Sequence, residues 1–288
     1  MAPADAARPA QPGSGAPLRG NNLWLRVVTS LVLAPLALGA AYAGGPLFLA
    51  FWSLAALGVL WEWQTLVCAA DRAAAVAVGG GTLAGAALLL AFDWPAAALA
   101  LVFLGLLGIA AVAAGGRRAW CLSGLAYAAA LLFAPVALRG DPVWGLPAIL
   151  FIFVIVWLTD IAAYFAGRAI GGPKLLPQIS PNKTWSGAIG GAAAAVAGGL
   201  LLAWQAGAGH LGAIALVALA LSIVSQAGDL LESAVKRRFG AKDSSALIPG
   251  HGGLMDRLDG FVAAATAALL IGLAHGGTSA PGRGLMVW

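Results

Sequence analysis

Apolar residues occur in long runs along this chain, and short polar segments separate the runs. A helix needs about 20 apolar residues to cross the hydrocarbon core of a bilayer. The pattern therefore predicts an all-α polytopic membrane protein with about nine spans. The predicted spans are residues 24 to 43, 46 to 68, 73 to 92, 95 to 114, 119 to 138, 146 to 167, 185 to 205, 211 to 231 and 259 to 275.

Composition excludes a soluble domain. Of 288 residues, 61% are hydrophobic and only 9% are charged, which is more apolar surface than a globule of this size can bury. Arg26, the apolar run after it and the triplet Ala41-Tyr42-Ala43 also resemble a signal peptide, but we favour an uncleaved first span.

Basic residues divide unevenly between the two sides of this predicted topology. With the N-terminus in the cytoplasm, fourteen of the sixteen Lys and Arg residues fall inside, and Arg139 and Arg283 fall outside. This distribution follows the positive-inside rule, so the charges support the number of spans. The inside residues are Arg8, Arg19, Arg26, Arg72, Arg117, Arg118, Arg168, Lys174, Lys183, Lys236, Arg237, Arg238, Lys242 and Arg257.

Carboxylates collect at the same ends of the predicted spans. Glu62, Asp160, Asp229, Asp256 and Asp259 come from separate stretches of sequence, yet all map to the cytoplasmic side. A carboxylate in a bilayer costs about 3 kcal/mol, so such residues usually face a polar cavity, a partner or a metal. Glu62 lies between two tryptophans, which predicts a position at an interfacial aromatic belt. For this residue a functional role and a purely structural role are equally balanced.

The eighth span carries a polar stripe that leads into a glycine-rich loop. Ser225, Asp229, Glu232 and Lys236 recur at helical spacing, and serines of this kind also form interhelical hydrogen bonds. The loop Pro249-Gly250-His251-Gly252-Gly253 cannot be helical, and its backbone N–H groups could hold phosphate oxygens. The contribution of His251, phosphate contact or turn cap, is left open.

Two aspartates begin the last span. Asp256 and Asp259 are three residues apart, on neighbouring helix faces, and the helix dipole favours carboxylates there. Capping explains one of them, whereas two carboxylates opposite Asp229 suit Mg²⁺, which completes its coordination with substrate phosphates.

A second polar segment runs from residue 168 to 187 on the same side. It is too rich in Gly and Pro for a continuous helix, and Lys174 and Lys183 indicate an anionic partner. The alternative is a purely structural role, with a turn at Ser180-Pro181 and Thr184 as the N-cap of the following helix.

Small residues have structural interpretations. Two glycine pairs at a spacing of four residues let helix backbones approach closely: Gly81 with Gly85, and Gly187 with Gly191. We favour packing within one subunit over a homodimer interface for both pairs. Cys68 and Cys121 form no framework, so we interpret both as isolated packing residues.

The polar segments together resemble a known family, that of phosphatidate cytidylyltransferase, also called CDP-diacylglycerol synthase. The departures from its pattern are Asn182 and Ser186. The motifs that carry the resemblance are Ser233-x-x-Lys236-Arg237, Lys242-Asp243, His251-Gly252-Gly253-x-x-Asp256-Arg257-x-Asp259, Ser180-Pro181-Asn182-Lys183-Thr184-Trp185 and Asp160-x-x-Ala163-Tyr164.

The resemblance implies a nucleotidyltransferase of the inner, cytoplasmic membrane whose active site faces the cytoplasm. Its substrates would be CTP and phosphatidic acid, with no nucleic acid as partner. It implies Mg²⁺ held by Asp229, Ser233 and Asp256, and a second cation such as K⁺ is left open. The implied catalytic residues are Asp229, Asp256, Lys236, Arg237, Lys242 and Arg257. The implied substrate-binding residues are Ser180, Lys183, Thr184, His251, Gly252, Gly253, Asp160 and Asp259.

Three regions follow from these assignments. Residues 1 to 22 are expected to be a disordered tail, residues 23 to 143 N-terminal transmembrane helices, and residues 144 to 288 the catalytic transmembrane region. Two alternatives stay open: a related CTP-dependent transferase acting on another lipid phosphate, and a transporter, which would place its carboxylates near the bilayer midplane.

Overall fold

The computed structural model describes residues 19–68, 71–113, 115–248 and 252–288, with side chains described from residue 31 onward. Most of the predicted tail therefore lies outside the described residues, and the first helix begins at Arg19. The helices are α1 Arg19–Ala43, α2 Gly45–Val67, α3 Arg72–Ala91, α4 Pro95–Val112, α5 Arg118–Arg139, α6 Gly145–Ile170, α7 Trp185–Gln205, α8 Leu211–Arg238, α9 Met255–Gly276 and α10 Pro281–Met286, with a 3-10 turn at Gly115–Arg117.

Helices α2 to α9 are long and apolar enough to cross a membrane. Eight of the nine predicted spans are thereby confirmed. The first predicted span coincides with α1, whose described apolar part runs from Leu31 to Ala43. The all-α membrane fold predicted from the apolar runs is thus the fold observed.

One end of the helix bundle is strongly basic. Helices α2, α4, α6 and α8 end there, and α3, α5, α7 and α9 begin there. We call this end the basic face. It carries Arg72, Arg117, Arg118, Arg168, Lys174, Lys183, Lys236, Arg237, Arg238, Lys242 and Arg257.

Glycines bring α6 and α7 into close contact. A Cβ atom on Gly191 would lie 2.6 Å from the carbonyl oxygen of Thr159, and one on Gly187 would lie 2.7 Å from that of Ala163. Neither position has room for a side chain. This glycine pair therefore serves packing within one subunit, as predicted.

Helices α8 and α9 approach in the same way. A Cβ on Gly228 would lie 2.9 Å from the carbonyl oxygen of Asp259, and one on Gly260 would lie 3.2 Å from that of Ser225. The close approach brings the basic ends of both helices, and the aspartates on them, to the same side of the bundle.

Aromatic rings join the two halves of the chain in the core. Trp52 on α2 stacks on Phe261 of α9 with ring centres 4.6 Å apart, and Phe153 on α6 lies 5.4 Å from Phe261. The core therefore continues across the region boundary that was predicted at residue 143.

A two-stranded antiparallel hairpin forms at the basic face. Strand β1 covers Lys174–Leu176 and β2 covers Ser180–Thr184, and Lys174 pairs with Thr184. The sequence predicted only a non-helical segment here. The Thr184 hydroxyl accepts a hydrogen bond from Gly187 N at 3.1 Å, which confirms its role as the N-cap of α7.

The opposite face is closed by α10. Asp141 accepts a hydrogen bond from Arg283 N at 2.9 Å, and His275 Nδ1 lies 3.0 Å from the carbonyl oxygen of Gly284. These contacts fix the far end of α9. Asp141 is 5% exposed and also accepts hydrogen bonds from the N–H groups of Val143 and Trp144 at the start of α6.

The interpretation of the two cysteines as isolated packing residues is wrong. Cys68, which follows α2, and Cys121, in the first turn of α5, are joined as a disulfide with Cα atoms 6.0 Å apart. Their 53-residue separation hides the pairing in the sequence. The link ties α2 to α5 at the basic face.

Candidate active site

A cavity of about 740 Å³ opens at the basic face between α6, α7, α8, α9 and the hairpin. Its volume suits a substrate of nucleotide size. The lining consists of Thr159, Asp160, Ala163, Tyr164, Gly167, Arg168, Lys174, Leu175, Asn182, Lys183, Thr184, Gly187, Ala188, Gln226, Asp229, Lys236, Asp243, Asp256, Arg257 and Asp259.

An ion pair joins the hairpin to α8. Lys183 Nζ donates to Asp229 Oδ2, and both side chains are roughly a third exposed. The Ser233 hydroxyl, one turn further along α8, donates to Asp229 Oδ1 at 3.4 Å. The hairpin lysine thus reaches over the cavity to the carboxylate that the polar stripe predicted to be functional.

A second set of charges connects α8 with α9. Lys236 Nζ lies 2.5 Å from Asp256 Oδ1 and 2.7 Å from Glu232 Oε2. All three side chains are largely buried, with Glu232 only 1% exposed. One lysine thus joins carboxylates of two neighbouring helices at the basic face.

Asp256 is held from its other oxygen by the loop that precedes α9. Its Oδ2 accepts hydrogen bonds from Gly253 N at 2.8 Å and from the N–H and hydroxyl of Ser244, each at 3.0 Å. A Cβ on Gly253 would lie 1.7 Å from the Ser244 hydroxyl oxygen. A side chain at position 253 would clash with Ser244, so glycine is required here by packing within the protein.

Glu62 completes this network from α2. It accepts hydrogen bonds from the hydroxyls of Ser244 (3.2 Å) and Ser245 (2.5 Å). It also accepts from the N–H groups of Leu254 (2.8 Å) and Met255 (2.6 Å) at the start of α9.

Glu62 does not lie on the surface of the bundle. Its side chain is 0% exposed and the neighbouring Trp63 is also buried, whereas Trp61 is 43% exposed. A buried carboxylate requires several hydrogen-bond donors, and here the donors come from the loop and from the first N–H groups of α9. Glu62 therefore joins the N-terminal half of the chain to the site.

Carboxylates and cations alternate around the cavity. Asp160 on α6 and Asp259 on α9 face it, and Arg257 and Lys174 supply further positive charge. An apolar ligand would leave these groups without partners. The cavity therefore suits a ligand that carries several phosphate groups, together with a cation.

The donor set also indicates how a metal would be held. Within the described residues, no three His, Cys, Asp or Glu side chains converge on a ready-made metal site. Asp229 and Asp256 nevertheless face one cavity from neighbouring helices. Mg²⁺ takes one or two carboxylates and fills its remaining positions with phosphate and water oxygens. These residues therefore fit a Mg²⁺ ion that binds together with substrate phosphates.

The structure gathers eight of the predicted site residues in the cavity lining. The others lie around it: Arg237 and Lys242 are exposed, and His251 falls outside the described residues. The eight are Asp160, Lys183, Thr184, Asp229, Lys236, Asp256, Arg257 and Asp259. The described residues outside the lining are Ser180, Ser233, Arg237, Lys242, Gly252 and Gly253.

Polar residues of the apolar helices were missed. Thr159 and Gln226 line the cavity, and Thr159 hydrogen-bonds to Ser222 across α6 and α8 at 2.7 Å. Gln226 lies four residues after Ser222 and three before Asp229, so its helical spacing from the polar stripe was the available signal.

The fold and the cavity define an integral membrane protein with a charged, nucleotide-sized site at one membrane surface. The profile of the Cytidylyltransferase family matches residues 24–274. The chain belongs to this family.

Several relatives carry a specific activity in their names. A phosphatidate cytidylyltransferase of Brucella suis biovar 1 (strain 1330) is 47% identical over 254 residues, covering 88% of this chain and 94% of the relative. The phosphatidate cytidylyltransferase of Haemophilus influenzae (strain ATCC 51907 / DSM 11121 / KW20 / Rd) is 44% identical over 43% of this chain and 45% of its own length. That of Staphylococcus haemolyticus (strain JCSC1435) is 43% identical over 50% and 55%.

Proposed function

We propose that the protein transfers the cytidylyl group of CTP to phosphatidic acid and forms CDP-diacylglycerol and pyrophosphate. The observation that carries the proposal is the cavity of about 740 Å³ at the basic face, where five aspartates and the basic side chains around them meet at the membrane surface. Similarity to phosphatidate cytidylyltransferases over most of the chain supports the choice of substrates.

The reaction exchanges one phosphoanhydride bond for another. A phosphate oxygen of phosphatidic acid attacks the α-phosphorus of CTP, and the bond from that phosphorus to the oxygen bridging to the β-phosphate breaks. Pyrophosphate leaves with that bonding electron pair. The attacking phosphate is already ionised near neutral pH, so the protein has to position the substrates and neutralise charge rather than remove a proton.

The cavity supplies groups for both tasks. Lys183, Lys236 and Arg257 line it from the hairpin, α8 and α9, and they would neutralise the attacking phosphate and the departing pyrophosphate. Lys183 and Lys236 are paired with Asp229 and Asp256, so substrate phosphates would replace existing carboxylate partners.

Asp229 and Asp256, with Ser233 beside them, would hold Mg²⁺. The ion would supply further neutralisation of the nucleotide phosphates. Asp160 and Asp259 face the same space and would contact substrate or orient the basic side chains.

The proposed location is the cytoplasmic membrane, with the basic face toward the cytoplasm. The excess of Lys and Arg at this face supports the orientation through the positive-inside rule. The site would then receive CTP from the cytoplasm, while the acyl chains of phosphatidic acid stay in the bilayer.

A second candidate is the same chemistry on another membrane lipid phosphate, because the cavity recognises phosphate rather than the glycerol backbone. Lipid substrate profiling separates the two. A transporter would be expected to carry its carboxylates near the bilayer midplane, whereas here Asp229, Asp256 and Asp259 lie in the part of each helix nearest the basic face.

The test is incubation of purified protein with labelled CTP, phosphatidic acid and Mg²⁺, followed by measurement of labelled liponucleotide. Asp256→Asn is expected to reduce turnover at least about a hundredfold, because it weakens both the metal site and the contact with Lys236. Asp141→Asn, a buried helix-capping carboxylate at the opposite face, is the matched control and should keep its turnover. Absence of liponucleotide with the wild-type protein would refute the proposal.

A further inference from the structure

A second cavity opens at the basic face, apart from the candidate active site. It has a volume of about 520 Å³ and shares no lining residue with the first cavity. Its walls come from the ends of α2 and α8, the 3-10 turn and the start of α5. The lining residues are Leu66, Gly116, Arg117, Trp120, Arg238 and Phe239.

Two guanidinium groups flank an aromatic pair in this cavity. Arg117 Cζ lies 5.6 Å from the centre of the Phe239 ring, and Arg238 Cζ lies 5.4 Å from the centre of the Trp120 ring. The two rings are 5.4 Å apart, edge to face. The cations are thus oriented by ring faces, and a stacked guanidinium keeps its N–H edge available for ligands.

Among the described residues, no carboxylate balances the charge of the two arginines. None of the described lining residues is acidic, and within the described ranges neither arginine takes part in an ion pair. The hydrogen bond that Arg117 Nη1 donates, to the carbonyl oxygen of Val67 at 3.3 Å, uses one of its five N–H groups. Two oriented and uncompensated guanidinium groups are suited to a phosphate.

The position of the cluster indicates where that phosphate comes from. Trp120, Arg117 and Arg238 lie at the ends of membrane-spanning helices, which is the level of lipid headgroups and of interfacial aromatic side chains. Basic pockets between membrane helices bind anionic headgroups. The volume falls in the range of small-ligand sites.

We propose that this cavity binds the phosphodiester headgroup of an anionic phospholipid from the adjacent leaflet, at a site separate from the catalytic cavity. Arg117 and Arg238 bind the phosphate, and Trp120 and Phe239 orient them. The lipid contacts the last turn of α8, two residues beyond Lys236, and so lies beside the catalytic cavity without entering it.

Native mass spectrometry of the purified full-length protein, with phosphatidylglycerol or phosphatidylcholine added in detergent, tests the proposal. Wild-type protein is expected to retain phosphatidylglycerol in preference to phosphatidylcholine. The double variant Arg117→Gln/Arg238→Gln should bind phosphatidylglycerol about 30-fold more weakly, as expected for two interfacial arginines. Equal retention by the wild type and this variant would overturn the proposal.

Charge-matched variants make the result specific to the cavity. Arg72→Gln/Arg283→Gln loses the same charge elsewhere and should retain phosphatidylglycerol as the wild type does. Arg117→Lys/Arg238→Lys keeps the charge but loses the planar fork, so intermediate retention is expected. If the control pair lost as much binding as the cavity pair, general surface charge would replace a defined site as the explanation.

Inorganic phosphate distinguishes a lipid from a free anion. A lipid is held by its chains as well as its headgroup, so excess inorganic phosphate should leave phosphatidylglycerol bound. Displacement by inorganic phosphate would assign the cavity to a soluble phosphate and overturn the lipid assignment. The measurement needs no turnover, so its failure is distinguishable from failure of the proposed catalytic function.

Discussion

Two single buried carboxylates each hold the start of a helix in this bundle. Glu62 at the basic face and Asp141 at the opposite face each accept several hydrogen bonds from the start of a helix. Glu62 additionally bonds to Ser244, which itself bonds to Asp256. Both carboxylates support structure, but only Glu62 is connected through hydrogen bonds to the candidate site.

Glu62→Gln separates these two roles. The amide nitrogen cannot accept hydrogen bonds, so buried donors of the loop and of α9 lose their partner, at a cost of about 1 to 3 kcal/mol. We expect a lower thermal midpoint and also a lower kcat for CTP-dependent transfer, because Ser244 and Asp256 are displaced. Asp141→Asn should lower the thermal midpoint alone. Unchanged kcat in Glu62→Gln would limit Glu62 to a structural role.

Lys183 provides a second prediction at this scale. Lys183→Ala removes the hairpin's ion pair with Asp229 and a proposed phosphate contact, so kcat/KM for CTP should fall about 10-fold or more. Lys183→Arg should restore part of the loss, since the charge is kept. Arg72→Ala, an exposed position outside the cavity, is the control. A kinetic constant equal to that of the wild type would remove Lys183 from the site.

At the scale of helices and strands, the apolar runs of the sequence predicted the membrane helices well. Hydrogen-bond partners that are far apart in the sequence could not be predicted in this way. Helix α8 continues to Arg238, seven residues beyond its predicted span, because its polar turns still carry a helical pattern. The β1–β2 hairpin was missed because Gly and Pro indicate only the absence of a helix. The partners of Glu62 lie 182 to 193 residues away, and no local pattern encodes that separation.

Two glycine substitutions are expected to have opposite effects on stability, because Gly191 lies at the α6–α7 contact and Gly81 on α3 has open space beside it. Gly191→Ala forces a Cβ against the backbone of Thr159 and should destabilise the protein by about 1 to 3 kcal/mol through overpacking. Gly81→Ala on α3 has nothing within 4 Å of the new Cβ and should be neutral or stabilising by up to about 1 kcal/mol, because alanine favours helix. Thermal unfolding in detergent measures both, and equal shifts would contradict the close helix contact.

For the whole molecule, the bundle has a basic face and an opposite face that carries Arg139 and Arg283. The lipid-facing sides of the helices expose large apolar residues, among them Phe103 (72% exposed), Leu216 (69%) and Leu31 (68%). This surface suits contact with acyl chains, and it leaves the orientation of the bundle to be decided by its charged ends.

Cysteine labelling in cells tests the orientation. Lys174→Cys on the hairpin should react with a membrane-impermeant maleimide only after the cells are permeabilised, whereas Arg283→Cys should react in intact spheroplasts. Cys68 and Cys121 are buried and paired and should contribute little background, which the unsubstituted protein measures. The reverse labelling pattern would place the basic face outside the cytoplasm.

Helix α9 is fastened at both ends, by Glu62 at its first N–H groups and by α10 at its last turn. It spans about 33 Å at 1.5 Å per residue, and neither fastening leaves it free to slide along its axis. The positions of Asp256 and Asp259 relative to the other helices are therefore fixed, and so is their expected depth in the membrane. A lipid must bring its phosphate to that depth, and phosphate depth is a property of the headgroup plane that changes little with chain length. Substrates with short and long acyl chains should therefore reach the same carboxylates in the same register.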